Sequence, residues 1–472
     1  MTDGFPALLR AELTKLRTVP GWVVAGAVAA ALIVGFALLT GAGAGQSRGG
    51  PPPRDADGTP VVDRFTFVHQ PLPADGAVTV RVASLTAPDG PEPWAKAGLV
   101  VKAGTSPGAA YAAVMVTGAH GVRMQHDFVN DVAGPASARW LRLARAGDAV
   151  TASASTDGAT WSTVGTTRLA GPAEIGLFVA TPPHEKFDQF LGGTSATGRP
   201  VLATAVFDGL TATGVPTGGW KTLAVGVADD PHALVGDAAW AGDTVTVSGA
   251  GDIAPAVEDG PGLEQTLVGG FVALTVMVIL GVLFVTTEYR RGMLRTSLVA
   301  SPRRGRVLAA KSVVIAAVTF AGGLVATAVA LLVGKGIMGD AVHPVSGPTQ
   351  VRMVVGTAAL LAVAAVFGVA VGTILRRGAG AVAAVVVLTT LPYILSVAAV
   401  LPVVSAQWVL RVTPAAAFAV QQTVREYPQV NAAYTPAFGF FPLPPWGGFA
   451  VLCAWTGAAL AVAAVLLRRR DA

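Results

Sequence analysis

The acids and histidines of residues 43–265 are the first candidates for chemistry. Asp127 with Asp131, or Glu185 with Asp188, have the residue types of a glycosidase carboxylate pair. Such a pair must flank one glycosidic bond, at about 5 Å or about 6.5–9.5 Å depending on mechanism. Spacing along the chain does not fix that distance, and solvated surface acids answer the same pattern. His69, His120, His126, His184 and His232 are scattered without metal-ligand spacing. The acid-rich loops offer oxygens for Ca²⁺ but lack EF-hand order. Gly214-Val215-Pro216-Thr217-Gly218-Gly219-Trp220-Lys221-Thr222 imitates a phosphate loop. A true phosphate loop has glycine directly before lysine, so that the backbone wraps the phosphates, and here Trp220 intervenes. No catalytic residue, metal site or cofactor is therefore expected, and ATP hydrolysis is expected on another chain.

The elements that hold these residues follow from composition. The 472 residues are 52% apolar and 13% charged, which excludes disorder and collagen and weighs against a wholly soluble protein. A single cysteine, Cys453, excludes an intramolecular disulfide. Six runs (22–42, 267–287, 312–333, 353–375, 379–403 and 447–467) lack Asp, Glu, Lys, Arg and His altogether. Each reaches the roughly 20 residues a helix needs to cross a bilayer core, and a mid-membrane charge would cost about 2.5–3.5 kcal/mol. Buried helices of soluble proteins usually keep a polar face, which these lack. Ion-coupled carriers place acids or histidines at mid-membrane, so charge-free spans point to an external energy source. Gly368 and Gly372 form a GxxxG that would seat another helix, and Pro392 should kink the fifth span.

Orientation follows from flanking charge. With the N-terminus cytoplasmic, the inner segments carry fifteen Lys/Arg and the short outer loops four, Lys335, Arg352, Arg411 and Arg425. Cytoplasmic loops carry the excess of such residues, so both termini are expected inside and residues 43–265 outside. The first run is longer than a signal-peptide core of about 7–15 residues, and is read as a retained anchor rather than a cleaved leader. Residues 43–265 carry fourteen Lys/Arg against twenty-two Asp/Glu. An acidic middle between basic ends marks topology, and no nucleic-acid partner is expected.

Within the insert the period changes to two. Val78-Thr79-Val80-Arg81-Val82 alternates, as does Trp140-Leu141-Arg142-Leu143-Ala144-Arg145, with leucines expected inward and arginines in water. Further strands are expected at 97–102, 111–117, 122–126, 150–155, 175–180 and 204–208, separated by Gly-, Pro- and Asp-containing turns. Many short strands argue a β-sandwich. Ala97-Gly98-Leu99-Val100-Val101-Lys102, Tyr111-Ala112-Ala113-Val114-Met115-Val116, Trp140-Leu141-Arg142-Leu143 and Ser155-Thr156-Asp157-Gly158-Ala159-Thr160-Trp161 follow the order of concanavalin A-like (laminin-G-like) domains. Over roughly 55–213 the chain resembles that family, which implies contact with an extracellular glycan or polymer.

Residues 5–19 place Leu8, Leu9, Leu13 and Leu16 on one side and Arg10, Lys15 and Arg17 elsewhere, an amphipathic helix lying on the inner surface. Leu9-Arg10-Ala11-Glu12-Leu13-Thr14-Lys15-Leu16-Arg17-Thr18 resembles the opening of ABC-2 type exporter permeases. Thr287-Glu288-Tyr289-Arg290-Arg291-Gly292-Met293-Leu294-Arg295-Thr296, then Pro302-Arg303-Arg304-Gly305-Arg306 and Ala310-Lys311, resembles their loop between spans two and three. Arg411-Val412-Thr413-Pro414-Ala415-Ala416-Ala417-Phe418 resembles their outer segment between spans five and six. The resemblance covers 5–42 and 267–470. It implies an elbow helix carrying Leu9, Glu12, Leu13 and Leu16. It also implies a segment coupled to the ATPase through Glu288, Tyr289, Arg290, Arg291, Gly292, Arg295, Thr296, Pro302 and Arg303. Its implied partners are a cytosolic ABC ATPase, a second permease subunit in a homo- or heterodimer, and the lipid bilayer. The large insert after the first span departs from the family's short loop.

The expected fold is an all-α six-helix transmembrane bundle with an inserted all-β, concanavalin A-like extracellular domain. Its parts are elbow and first span (1–43), linker (44–60), β-sandwich (61–213), membrane-proximal extension (214–265), and spans two to six (266–472) with a cytoplasmic coupling loop at 288–311. The expected function is the plasma-membrane permease subunit of an ATP-driven exporter. A reading of another class is a membrane-anchored protein that binds or senses a glycan or wall polymer. The external glycosidase is a third.

Overall fold

The computed structural model describes residues 4–44, 52–73, 75–190, 193–216, 219–227, 233–257, 262–290, 303–339, 344–430 and 434–469. Helix α1 (Phe5–Thr18) ends at Val19, which is extended because a residue before proline is pushed out of the α region. Helix α2 (Pro20–Ala44) follows as the first apolar crossing.

The insert then forms β1 (Val61–Asp63), β2 (Phe65–Leu72), β3 (Gly76–Thr86), β4 (Lys96–Lys102), β5 (Tyr111–Thr117), β6 (Val122–His126), β7 (Asn130–Ala133), β8 (Trp140–Ala146) and β9 (Ala149–Ser155). It continues with β10 (Ser162–Arg168), β11 (Ala173–Ala180), β12 (His184–Phe190), β13 (Gly193–Arg199), β14 (Ala203–Thr213), β15 (Lys221–Val225), β16 (Ala238–Ala241), β17 (Thr244–Gly249) and β18 (Ile253–Pro255). One seven-stranded sheet has the order β10-β9-β8-β3-β14-β17-β16, the other β15-β2-β11-β4-β5-β6-β7. Every pairing is antiparallel. Val80, Leu141, Leu143, Leu99, Leu177 and Phe207 of the facing sides meet in one core, as alternation along two packed sheets requires.

Three findings refine the expected sandwich. First, β15, β16 and β17 join its two sheets, so the strands run on to Gly249, past the Thr213 boundary. Second, β4 and β5 are buried at every position, because the short pair β1–β18 covers the outer face of their sheet. Third, Arg142 is in water but Arg145 is not. Its guanidinium donates to the carbonyls of Gly147 (2.8 Å), Leu169 (3.2 Å) and Gly171 (2.6 Å), which replace the water it gives up.

The bundle continues with α3 (Gly269–Arg290), α4 (Arg304–Met338), α5 (Gly347–Leu375), α6 (Gly378–Thr389), α7 (Leu391–Val397), α8 (Val403–Val412) and α9 (Pro445–Arg469). Among the described residues, six helical segments are long and apolar enough to cross a membrane. They correspond to the six expected runs. The GxxxG glycines of α5 meet α3: a Cβ at Gly368 would stand 2.5 Å from the Val278 carbonyl oxygen, and one at Gly281 2.1 Å from that of Ala365. Small residues bring these two backbones together.

The fifth span is shorter than expected. The helix breaks at Thr390, just before Pro392, and ends at Val397 instead of reaching 403. The segment expected as a plain outer loop is also different. Helix α8 and the 3₁₀ stretch Pro414–Gln421 form a pair bent by 98°, and all eight residues of that stretch are buried. Phe418 packs on Tyr393 at 4.6 Å and Phe271 at 6.2 Å between ring centroids. Irregular backbone is tolerated at membrane depth when protein surrounds it. Proline at 414 stops α8.

Candidate functional site

Helix α1 buries a stripe at helical spacing. Leu16 and Glu12 are buried, and Leu9 and Leu13 are half-buried against the bundle core. A glutamate on an apolar stripe needs a counter-charge, and two arrive from different directions. Glu12 Oε1 accepts from Lys15 Nζ at 2.9 Å, and Oε2 from Lys311 Nζ at 2.7 Å. Lys311 stands near the start of α4 and also lies 2.7 Å from Glu288 Oε1. Glu288, near the end of α3, accepts from Lys15 at 3.0 Å. The four groups close a ring of alternating charge joining α1, α3 and α4.

Burial differs sharply around the ring. The side chains of Lys311, Glu12 and Glu288 are 1%, 4% and 5% exposed, and Lys15 is 38% exposed. The Lys311 ammonium also lies 4.8 Å from the centroid of the Phe284 ring, a favourable cation–π position. Burial of Lys15 works against its charge. Hydrogen bonding and proximity to Glu12, then Glu288, outweigh that burial and raise its pKa above the ordinary lysine value.

Neighbouring contacts tie other helix ends to this end of the bundle. The Arg304 guanidinium donates to the Leu467 carbonyl at 2.8 Å, satisfying an orphan group in the last turn of α9. Arg376 lies over the Tyr289 ring, 5.2 Å from its centroid. Of the residues expected to couple to an ATPase, Glu288 is in the ring and Tyr289 is beside Arg376. Arg290 points elsewhere, lining a cleft with Arg376 and Arg377. Arg303 is exposed at the N-cap of α4. Arg291, Gly292, Arg295, Thr296 and Pro302 lie outside the described residues. Sequence reasoning missed Lys311 and Lys15 as site residues. Lys311 is the last charge before a charge-free span, and that position was its signal.

Three of the four candidate acids of the sandwich, Asp127, Asp131 and Asp188, pair locally. Asp131 binds Arg123 and accepts from Gln125 at 3.0 Å. Asp127 faces His126 at 2.9 Å, and Asp188 faces Lys186 at 3.1 Å. Among the described residues no group of three His, Cys, Asp or Glu is placed to hold a metal ion. Two buried lysines of the insert do have partners. Lys102 lies 2.5 Å from Asp63 and Lys96 2.5 Å from Asp252, clamping β1 and the residue before β18 to β4. Burial raises the Asp63 pKa and lowers that of Lys102, and their mutual attraction only partly opposes it. The sandwich also touches the bundle. The buried Gln429 amide donates to the Val129 carbonyl at 3.2 Å.

Three solved structures resemble part of the chain. They are a functionally unknown protein from Saccharomyces cerevisiae (17% identity, TM-score 0.20, 33% of this chain and 76% of that one), the eqolisin-family peptidase SCP-B (11%, 0.23, 39% and 98%) and scytalido-glutamic peptidase (13%, 0.25, 39% and 98%). Likenesses this slight support no assignment. A search of curated proteins finds no match. The family described as ABC-2 family transporter protein matches residues 150–472. That match spans the second half of the insert's strands (β10 to β18), five of the six candidate spans and, within them, Glu288 and Lys311 of the ring. This multi-pass membrane protein therefore belongs to the ABC-2 transporter family.

Proposed function

We propose that the chain is the permease subunit of an ATP-driven exporter, coupled to a separate cytosolic ATPase through residues 288–311. Family membership supports a transport membrane subunit and implies an ABC ATPase partner. Both termini lie in the cytoplasm and the sandwich lies outside, as the excess of Lys/Arg at the ring end of the bundle argues. A second permease subunit completes the translocation path.

The Glu12–Lys311–Glu288 ring carries this reading. It joins the elbow to both helices that flank the 288–311 loop. A force on that loop reaches α3 and α4 at their ends, and the ring passes it to α1 and hence α2. A buried ion-pair knot resists separation, because parting it strands charges away from water. The unit therefore moves as one body, in the manner of rigid-body transitions. Substrate moves along the apolar interior, since the runs at the heart of the spans carry no charge.

The test is capture of the ATPase by the full-length chain. Reversing Arg290, Arg291 and Arg295 to Glu should abolish association and transport while the chain remains folded. Undiminished association and transport would remove the coupling role from this segment.

A further inference from the structure

The ring leaves one feature at its end of the bundle unused. Between α3 and α6 lies a cleft of about 770 Å³ whose walls include Leu283, Val382 and Val386, and whose lining includes Arg290, Arg376 and Arg377. Among the described residues that line it there is no acid. Glu288, close by in sequence, has Oε1 committed to Lys15 and Lys311. Arg376 is held in place. Its backbone is left-handed (φ 55°), its N–H bonds the Gly372 carbonyl, and its guanidinium rests over Tyr289.

We infer that this cleft binds an anionic phospholipid, with the phosphate among the three guanidinium groups and an acyl chain along Leu283, Val382 and Val386. Charge and shape both argue for it. Guanidinium forks match phosphate oxygens, and three of them lining one cleft repel the ammonium of a zwitterionic headgroup. A free phosphate would leave the apolar walls bare. Basic pockets between membrane helices near the cytoplasmic surface suit anionic headgroups. That the lipid belongs to the cytoplasmic leaflet rests on the orientation proposed above, whereas the site itself does not.

The experiment uses the full chain in detergent, without ATPase. Phosphatidylglycerol, phosphatidylcholine or inorganic phosphate is added in equal amounts. Lipid retention is read by native mass spectrometry and stability by thermal unfolding. Phosphatidylglycerol should be retained and should raise the melting temperature, while the other two should not. Arg377→Gln should weaken retention about fivefold, and Arg290→Gln/Arg377→Gln further, since one basic residue near an anionic surface is worth roughly that factor. Ala383→Trp fills the cleft from an exposed position. It should abolish retention without changing the lipid-free melting temperature. Equal retention of the two lipids would overturn the inference. So would an undiminished effect in the double arginine variant, or the same stabilisation by phosphate alone. A disulfide between two copies carrying Ala383→Cys in a Cys453→Ser background would show that protein fills the cleft, and would also overturn it. None of these outcomes depends on ATPase capture, so the two readings fail separately.

Discussion

Lys311 Nζ stands 2.7 Å from a carboxylate oxygen of Glu12 and 2.7 Å from one of Glu288, residues 299 and 23 positions away. One ammonium thus joins α1 to α3 and α4. Removing it leaves two buried carboxylates with only the half-exposed Lys15 as partner. Lys311→Met should therefore destabilise the chain by about 3–5 kcal/mol. Lys15→Met should cost no more than about 1 kcal/mol, because water screens an exposed partner. Thermal unfolding of the two variants checks this. Equal losses would deny Lys311 its central place.

The same reasoning applies in the sandwich at Lys102 and Asp63, which lie 2.5 Å apart and are buried. Lys102→Met alone should destabilise by about 3–5 kcal/mol. Adding Asp63→Leu should recover most of the loss, because the pair's desolvation cost disappears with it. A double variant as unstable as the single would show that the pair matters for its shape alone.

Asp157 makes stability depend on acid pH. Its carboxylate accepts the N–H groups of Thr160 (2.8 Å) and Ala159 (2.9 Å) and the Ser155 hydroxyl (2.8 Å). These bonds hold its pKa far below the usual carboxylate range. A depressed folded pKa gives stability that is present above the unfolded value, about 3.9, and lost as pH falls through the folded value. The melting-temperature gap between wild type and Asp157→Ala should be widest at neutral pH and shrink below about pH 4. A constant gap would contradict the hydrogen-bonding account.

Gly368 and Gly281 let α5 and α3 touch backbone to backbone. Gly368→Ala must part the two helices, and Gly368→Val more so. Overpacking of this kind costs about 1–3 kcal/mol, with valine the worse of the two. Melting curves test the order, and a stabilising Gly368→Ala would contradict the close approach.

Much of the architecture was legible because its signals are local. Charge-free runs mark the spans, and alternation such as Val78 to Val82 marks strands. The ring was not legible as a ring. Glu12 and Glu288 were expected at functional segments, but their meeting depends on Lys311 and Lys15 and on how three helix ends pack. The buried 3₁₀ stretch from Pro414 was missed because its composition, Ala, Val and Phe closed by Gln421, matches that of a span edge. Arg145 looked like a solvent residue by alternation, and only the carbonyls of Leu169 and Gly171, far along the chain, explain its burial. The sandwich boundary ran past Thr213 because β15 pairs with β2, a partner about 150 residues earlier.

The proposed permease is a gate whose motor is a separate chain. The most direct measurement is ATP hydrolysis by the affinity-purified full-length protein, prepared with and without its captured ATPase subunit. Hydrolysis that appears only with the subunit, and transport that requires both, is the predicted result. Hydrolysis or ATP-driven transport by the chain alone would contradict the account.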